Sequence, residues 1–176
     1  FHDWLFVNLN GDMESFESFI EPLQKQLADF NLDDFVVAAS IEFDEIKTNW
    51  KLLMENFIEP YHVQFVHKTT TSQPLADHYV VEDEHCLGSA VDLTSEQKNK
   101  GKEGTLSVSS RYLTLFPNFV LGVYYPDQLG VHLNQPISAG TTHQRRVIYQ
   151  LKSIDQSADE IKKIRKLWIS VHKEDH

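Results

Sequence analysis

The stretch that decides how this chain is read is residues 49–67, NWKLLMENFIEPYHVQFVH. It ends in two histidines five apart, His62 and His67, with carboxylates at Glu55 and Glu59 just ahead of them. Two neutral imidazole nitrogens and one carboxylate on one face of a metal ion, with the other positions open, form the donor set of a mononuclear non-haem Fe(II) site. The spacing also constrains the backbone. On a regular helix of 3.6 residues per turn, residues five apart lie roughly 140° apart around the axis. Both imidazoles therefore reach one ion only where the helix ends, kinks or unwinds between them. Pro60 and the β-branched, aromatic run Val63-Gln64-Phe65-Val66 give a reason for such a break.

Working outward, residues 51–65 read as this broken helix. Upstream, residues 35–50 alternate apolar and polar side chains over Ile41, Phe43 and Ile46 and read as one or two strands. Residues 15–30 read as a helix, because Phe16, Phe19, Ile20, Leu23 and Leu27 recur at three and four. Pro22 predicts that this helix starts near that point, since proline is best tolerated in a first turn. Residues 4–10 read as a strand, followed by a Gly11-Asp12 turn signal. Downstream, residues 69–74 read as a polar loop. Residues 78–91 read as a strand pair turning at Glu82-Asp83-Glu84, and residues 94–104, TSEQKNKGKEG, as a charged surface loop. Four more strands are expected over residues 105–115, 119–125, 130–137 and 142–151. Pro117-Asn118, Pro126-Asp127 and Ala139-Gly140 separate them. Ser157 reads as the N-cap of a last helix, with Glu160 in the capping-box position and Ile161, Ile164, Leu167, Trp168 and Val171 on one stripe. This order predicts an α+β domain with helices packed on one side of a curved antiparallel sheet.

The bulk numbers bound the partners. A chain of 176 residues is one domain's worth, with 41% hydrophobic residues, an ordinary fraction for a globular protein. The formal charge of −10 argues against nucleic acid or an anionic membrane surface. No apolar run approaches the roughly 18 residues of a membrane span, and no signal peptide pattern is visible, so a cytoplasmic protein is expected. Cys86 is the one cysteine, which leaves no disulfide within the chain. It reads as a small buried side chain.

The 49–67 segment resembles the catalytic-domain motif of the large (α) subunit of the Rieske non-haem iron oxygenases, the ring-hydroxylating dioxygenase type. The matching elements are Asn49-Trp50-Lys51, Glu55-Asn56, Glu59, Tyr61-His62 and His67, with weaker support at Leu115-Phe116-Pro117-Asn118 and Glu174-Asp175. The resemblance implies a helix-grip (START/Bet v 1-like) fold. It implies a mononuclear Fe(II) held by His62, His67 and Asp175, the last matching the aspartate of the family's Glu-Asp pair, with Glu174 as its competitor. It implies that Glu59 is the acid bridging the iron to the Rieske centre of a neighbouring subunit; Asn56 reads either as a capping or supporting residue or as one with a role near the metal. Family members act on O2 and a small-molecule substrate, take electrons from a reductase or ferredoxin, and are commonly homotrimers. Glutamate at the bridging position is seen in the branch that oxidises quaternary ammonium compounds of the carnitine, choline and betaine type. An aromatic or quaternary-amine substrate is therefore expected.

A Rieske [2Fe–2S] centre needs two Cys and two His. A chain whose one cysteine is Cys86 cannot hold it. The expectation is that residues 1–176 are the catalytic domain of a longer parent, truncated at both ends, lacking the Rieske domain and inactive alone. A metal-free helix-grip binding module is the competing expectation, with His62 and His67 as pocket groups pointing apart. His/His/Asp also suits Zn2+. Phe116, Phe119, Tyr124, Tyr125, His132 and Asn134 lie on strands that could line a pocket, and a quaternary ammonium group would want aromatic faces there. Arg145 and Arg146 read as an exposed pair, and Tyr61 as core packing.

Overall fold

Strand β1 (Phe35–Ile46) is separated by helical segments from a run of hairpins, β2 (His78–Asp83), β3 (Cys86–Val91), β4 (Ser110–Leu115), β5 (Phe119–Tyr124), β6 (Gln128–Ser138) and β7 (Thr141–Leu151). The computed structural model describes residues 1–67, 70, 78–92, 110–124 and 127–175. All seven strands join one antiparallel sheet in the order β1-β7-β6-β5-β4-β3-β2. This order fixes where the decisive segment lies. β1 and β2 are the two edges, so the chain between them must cross the sheet. Two helices, α2 (Trp50–Ile58) and α3 (Val63–Val66), lie on that crossing.

Both faces of the sheet are covered, which is why the middle strands read as continuous apolar runs rather than as alternations. On β5, Phe119, Leu121 and Val123 point to one face, and Val120, Gly122 and Tyr124 to the other. The first face packs Leu113, Leu115, Phe119 and Leu121 against Ile20, Leu23 and Leu27, at and just beyond helix α1 (Phe16–Gln26). The other face packs Ala39, Ile41 and Ile148 against Ile164 and Trp168 of helix α4 (Ala158–Glu174). Burying one Leu or Ile side chain contributes about 1.5–3 kcal/mol. The cavity described below opens on this second face. Among the described residues, no helix is long and apolar enough to cross a membrane.

Several local expectations need correction. Residues 4–10 form no strand. The alternation is real, with Trp4 and Phe6 turned into the first core and Leu5, Val7 and Leu9 exposed. However, the segment lies across the sheet face, where it has no ladder partner. Trp4 instead donates Nε1–H to Tyr149 Oη at 3.0 Å. Helix α1 starts at Phe16, capped by Ser15, whose Oγ accepts from Ser18 N at 3.2 Å, and Pro22 lies inside it, buried. Packing offsets the hydrogen bond that Pro22 cannot make. β1 is a single strand with two irregularities in its pairing to β7. The β2–β3 turn falls at Glu84-His85, where Glu84 adopts φ 51°. Ser157 caps α4 through Glu160 N at 3.4 Å, but the reciprocal bond is made by Asp155, whose Oδ1 accepts from Ser157 N at 2.9 Å. The Glu160 carboxylate pairs with Lys163 instead. The loop expected over 94–104, most of that over 69–74, the first part of the strand expected over 105–115, and Tyr125 lie outside the described residues.

Candidate metal centre

The break required between His62 and His67 is present. Asn49 starts α2 by accepting from Lys51 N at 2.9 Å, and its Nδ2 donates to the Ala139 carbonyl at 2.7 Å, tying the helix to the β6–β7 turn. The residue before a proline is pushed out of helical conformation. Accordingly α2 ends at Ile58, and Glu59, ahead of Pro60, is extended with ψ 134°. The Glu59 carboxylate then accepts from Tyr61 N at 2.6 Å and His62 N at 3.3 Å, which restarts the chain as α3. His62 enters α3 and His67 leaves it, with ring centroids 5.1 Å apart.

Asp175, the C-cap of α4, completes the group. His67 Nε2 lies 3.0 Å from Asp175 Oδ1, and His62 Nε2 lies 3.9 Å from the same atom. The rear nitrogens are each held by a carboxylate. Glu59 takes His62 Nδ1, and Glu174 Oε2 takes His67 Nδ1 at 2.9 Å. A carboxylate behind an imidazole keeps the proton on Nδ1 and leaves the Nε2 lone pair facing forward. The three forward atoms lie within 4.8 Å of one another. Metal–donor bonds of about 2.0–2.2 Å place neighbouring donors about 3 Å apart, so this set fits one ion. The two imidazoles converge, contrary to the expectation for a metal-free pocket. Glu174 and Asp175 divide two tasks, one behind His67 and one in front. Asn56 Nδ2 donates to Asp175 Oδ1 at 3.4 Å.

Electrostatics follow the geometry. The hydrogen bond to Asp175 raises the His67 pKa; burial opposes this, and Glu174 adds to the rise. Burial pushes the Asp175 carboxyl up, but His67, Arg146 and His62 together outweigh it and hold it below the usual carboxylate range.

A cavity of about 580 Å³ adjoins the three residues, walled by Phe57, Tyr112, Tyr124, His132, Arg146 and Trp168 among others. Of the residues expected to line a pocket, Tyr124 and His132 do so. Phe116 is 56% exposed, and Phe119 faces the opposite core. Asn134 is buried and accepts from Gln144 Nε2 at 2.7 Å. Tyr61 is 67% exposed rather than core, because it sits on the turn that Glu59 holds. Arg145 is half-exposed near Glu42, but Arg146 is buried and faces the cavity. Phe57, Tyr112, Gln144 and Arg146 were not foreseen as wall residues. The period of two was the available signal, since Gln144, Arg146 and Ile148 share a face.

Residues 32–176 match the family described as ring hydroxylating alpha subunit (catalytic domain). The chain belongs to this family. Solved structures agree with the ring-hydroxylating α-subunit fold. The quaternary ammonium Rieske monooxygenase CntA, in complex with an inhibitor, superposes with TM-score 0.74 at 19% identity, over 97% of this chain and 45% of that one. Naphthalene 1,2-dioxygenase from Rhodococcus sp., bound to indole, gives TM-score 0.64 at 17% identity, over 90% of this chain and 45% of that one. NdmB of Pseudomonas putida CBB5 gives 0.54 at 20%, over 84% and 42%. At such identities the likeness is one of fold, the helix-grip arrangement of a Rieske oxygenase catalytic domain. The chain spans less than half the length of these solved chains. No curated protein matches it. Mononuclear iron in this domain and a Rieske cluster in the full-length oxygenase are what the family implies.

Proposed function

We propose that this chain is the mononuclear-iron catalytic domain of a Rieske-type oxygenase acting on an aromatic or quaternary-amine substrate. The observation that carries the reading is the convergence of His62 Nε2, His67 Nε2 and Asp175 Oδ1, each imidazole backed by its own carboxylate. These three residues would hold Fe(II), which supplies O2 activation when electrons reach it. The protein's own groups do the rest. Glu59 and Glu174 keep the protons on the rear nitrogens and raise the donor strength of both imidazoles. Asn56 restrains Asp175. The walls of the cavity hold the substrate beside the metal and limit access of water.

Electron entry is assigned to Glu59. It contacts His62 Nδ1 from the rear and lines a second hollow of about 460 Å³ with Tyr61, Tyr79, Val80 and Leu87. In a homotrimer a neighbouring subunit's Rieske domain would approach over this hollow, with a ferredoxin or reductase upstream. With Cys86 as its one cysteine, the chain relies on a [2Fe–2S] domain outside residues 1–176. Elemental analysis after anaerobic Fe(II) loading and desalting tests the reading on wild type and His62→Ala together. About one iron per chain in wild type and none in the variant is expected. A variant that keeps full stoichiometry overturns the ligand assignment.

A further inference from the structure

The cavity contains a cation that is not one of the metal-facing donors. Arg146, on β7, is 5% exposed and lines the wall. Its Nε donates to Gln144 Oε1 at 2.5 Å, and Gln144 is itself anchored by donating to Asn134 Oδ1 at 2.7 Å. The guanidinium carbon lies 5.2 Å from the centre of the Phe43 ring. These contacts set the plane of the group but use one of its five donors. Among the described residues, neither Nη nitrogen has an acceptor, and no carboxylate lies within 4.0 Å of the guanidinium.

Arginine is seldom buried without a partner, because the lost hydration of the cation must be offset by an anion and by hydrogen bonds. Among the described residues no anion pairs with Arg146 directly, although Asp175 acts on it through space. Asp175 is outside ion-pair range and already engaged by His67 and Asn56. The residues in register with it on the adjoining strands, Ile41 and His132, bring no anion. His132 Nε2 and Tyr124 Oη are buried without protein partners, and burial, Arg146 and His172 together keep His132 neutral. A planar fork of free donors, fixed in orientation at a cavity wall, matches a carboxylate better than any other small group.

We propose that Arg146 is a substrate-binding residue and that the substrate bears a carboxylate, which the two Nη groups of Arg146 receive. This rests on the oxygenase reading and narrows it. A purely cationic amine meets a like charge in the cavity, and a neutral arene leaves the guanidinium desolvated and unpaired. An aromatic acid satisfies the site, and so does a quaternary ammonium compound with its own carboxylate. Tyr124 and Trp168, with ring centroids 4.6 Å apart, offer the apolar or ammonium-binding wall to either.

The test is calorimetric titration of the full chain, metal-free so that no ligand carboxylate binds iron, with two matched pairs of probes. One pair is benzoate and benzamide. The other is 4-(trimethylammonio)butanoate and its amide. In wild type at least one acid is expected to bind about tenfold or more tightly than its amide. Arg146→Met should erase that preference, the acid losing more affinity than its amide. Arg146→Lys keeps the charge without the fork and should retain part of it, which keeps the test valid if the Met variant does not fold. Equal affinity of acid and amide in wild type, binding of neither pair, or a preference that survives in Arg146→Met overturns the proposal. Iron stoichiometry on a parallel aliquot separates the two readings. One iron per chain without acid preference overturns the Arg146 assignment alone, and acid preference without iron binding overturns the metal site alone.

Discussion

Exchanging Glu174 for glutamine separates a ligand from the group that supports it. Glu174 Oε2 accepts from His67 Nδ1 at 2.9 Å and from Thr70 Oγ1 at 2.7 Å. Glutamine keeps an oxygen at that place, so both bonds survive in shape, but the negative charge behind the imidazole is gone. A charge-assisted hydrogen bond is about twice as strong as a neutral one. The loss is then about 1–1.5 kcal/mol, or about tenfold in metal affinity, at the low end of the 10–100-fold range for groups behind a ligand. Asp175→Asn differs in kind, because it weakens a donor that faces the metal. The assay is anaerobic Fe(II) titration against a competing chelator. Glu174→Gln should still reach about one iron per chain at a roughly tenfold higher Kd, while Asp175→Asn loses stoichiometric loading. Affinity of Glu174→Gln within about threefold of wild type refutes the reasoning. So does the reverse pattern, with Glu174→Gln abolishing loading and Asp175→Asn sparing it.

Other consequences are as direct. The His67 pKa is raised above its ordinary 6.5 and the Asp175 pKa is lowered below its ordinary 3.8. The histidine's share of stability is complete below pH 6.5 and fades as pH climbs through the raised value; the carboxylate's is present above pH 3.8 and fades as pH falls through the lowered one. His67→Gln should therefore lower the Tm of the metal-free protein more at about pH 5.5 than at about pH 9; equal losses contradict the pairing. Metal loading runs the other way, since the ion displaces the His67 proton, and Fe(II) affinity should fall as pH drops through the raised value. Leu121→Ala, fully buried against α1, should cost about 2–5 kcal/mol in urea unfolding. A loss below about 1 kcal/mol would contradict this packing. At Gly122 an added Cβ would collide with the Tyr124 ring. Gly122→Ala should push that ring toward the cavity and cost about 1–3 kcal/mol, read as a lower urea midpoint.

The segment around Pro60 shows what a sequence carries well. Two histidines five apart require a broken helix, and the residues that break it lie between and beside them. Asn49 is equally local, because capping is decided within three residues. The strands announce themselves by β-branched and aromatic runs, and β6 and β7 differ from expectation only at their ends. What was hidden depends on contacts distant in sequence. Residues 4–10 have a strand's alternation but no edge to pair with. Pro22 breaks a local rule that burial of α1 overrides. Gln144 and Arg146 share a face with Ile148, yet in sequence a polar alternation reads as the solvent side. Only the placement of α4 over β1 and β7 makes that face an interior. Glu174 and Asp175 are adjacent in sequence, and only the approach of His67 from another helix gives them different tasks.

The central claim is that His62, His67 and Asp175 bind one iron together. Anomalous diffraction at the iron edge, on crystals loaded anaerobically with Fe(II), tests it most directly. The account predicts one iron per chain, touching His62 Nε2, His67 Nε2 and Asp175 Oδ1, with Glu59 and Glu174 behind the imidazoles. An iron ligated by Glu174 in place of Asp175, an iron elsewhere in the cavity, or loaded crystals without an iron peak would contradict it.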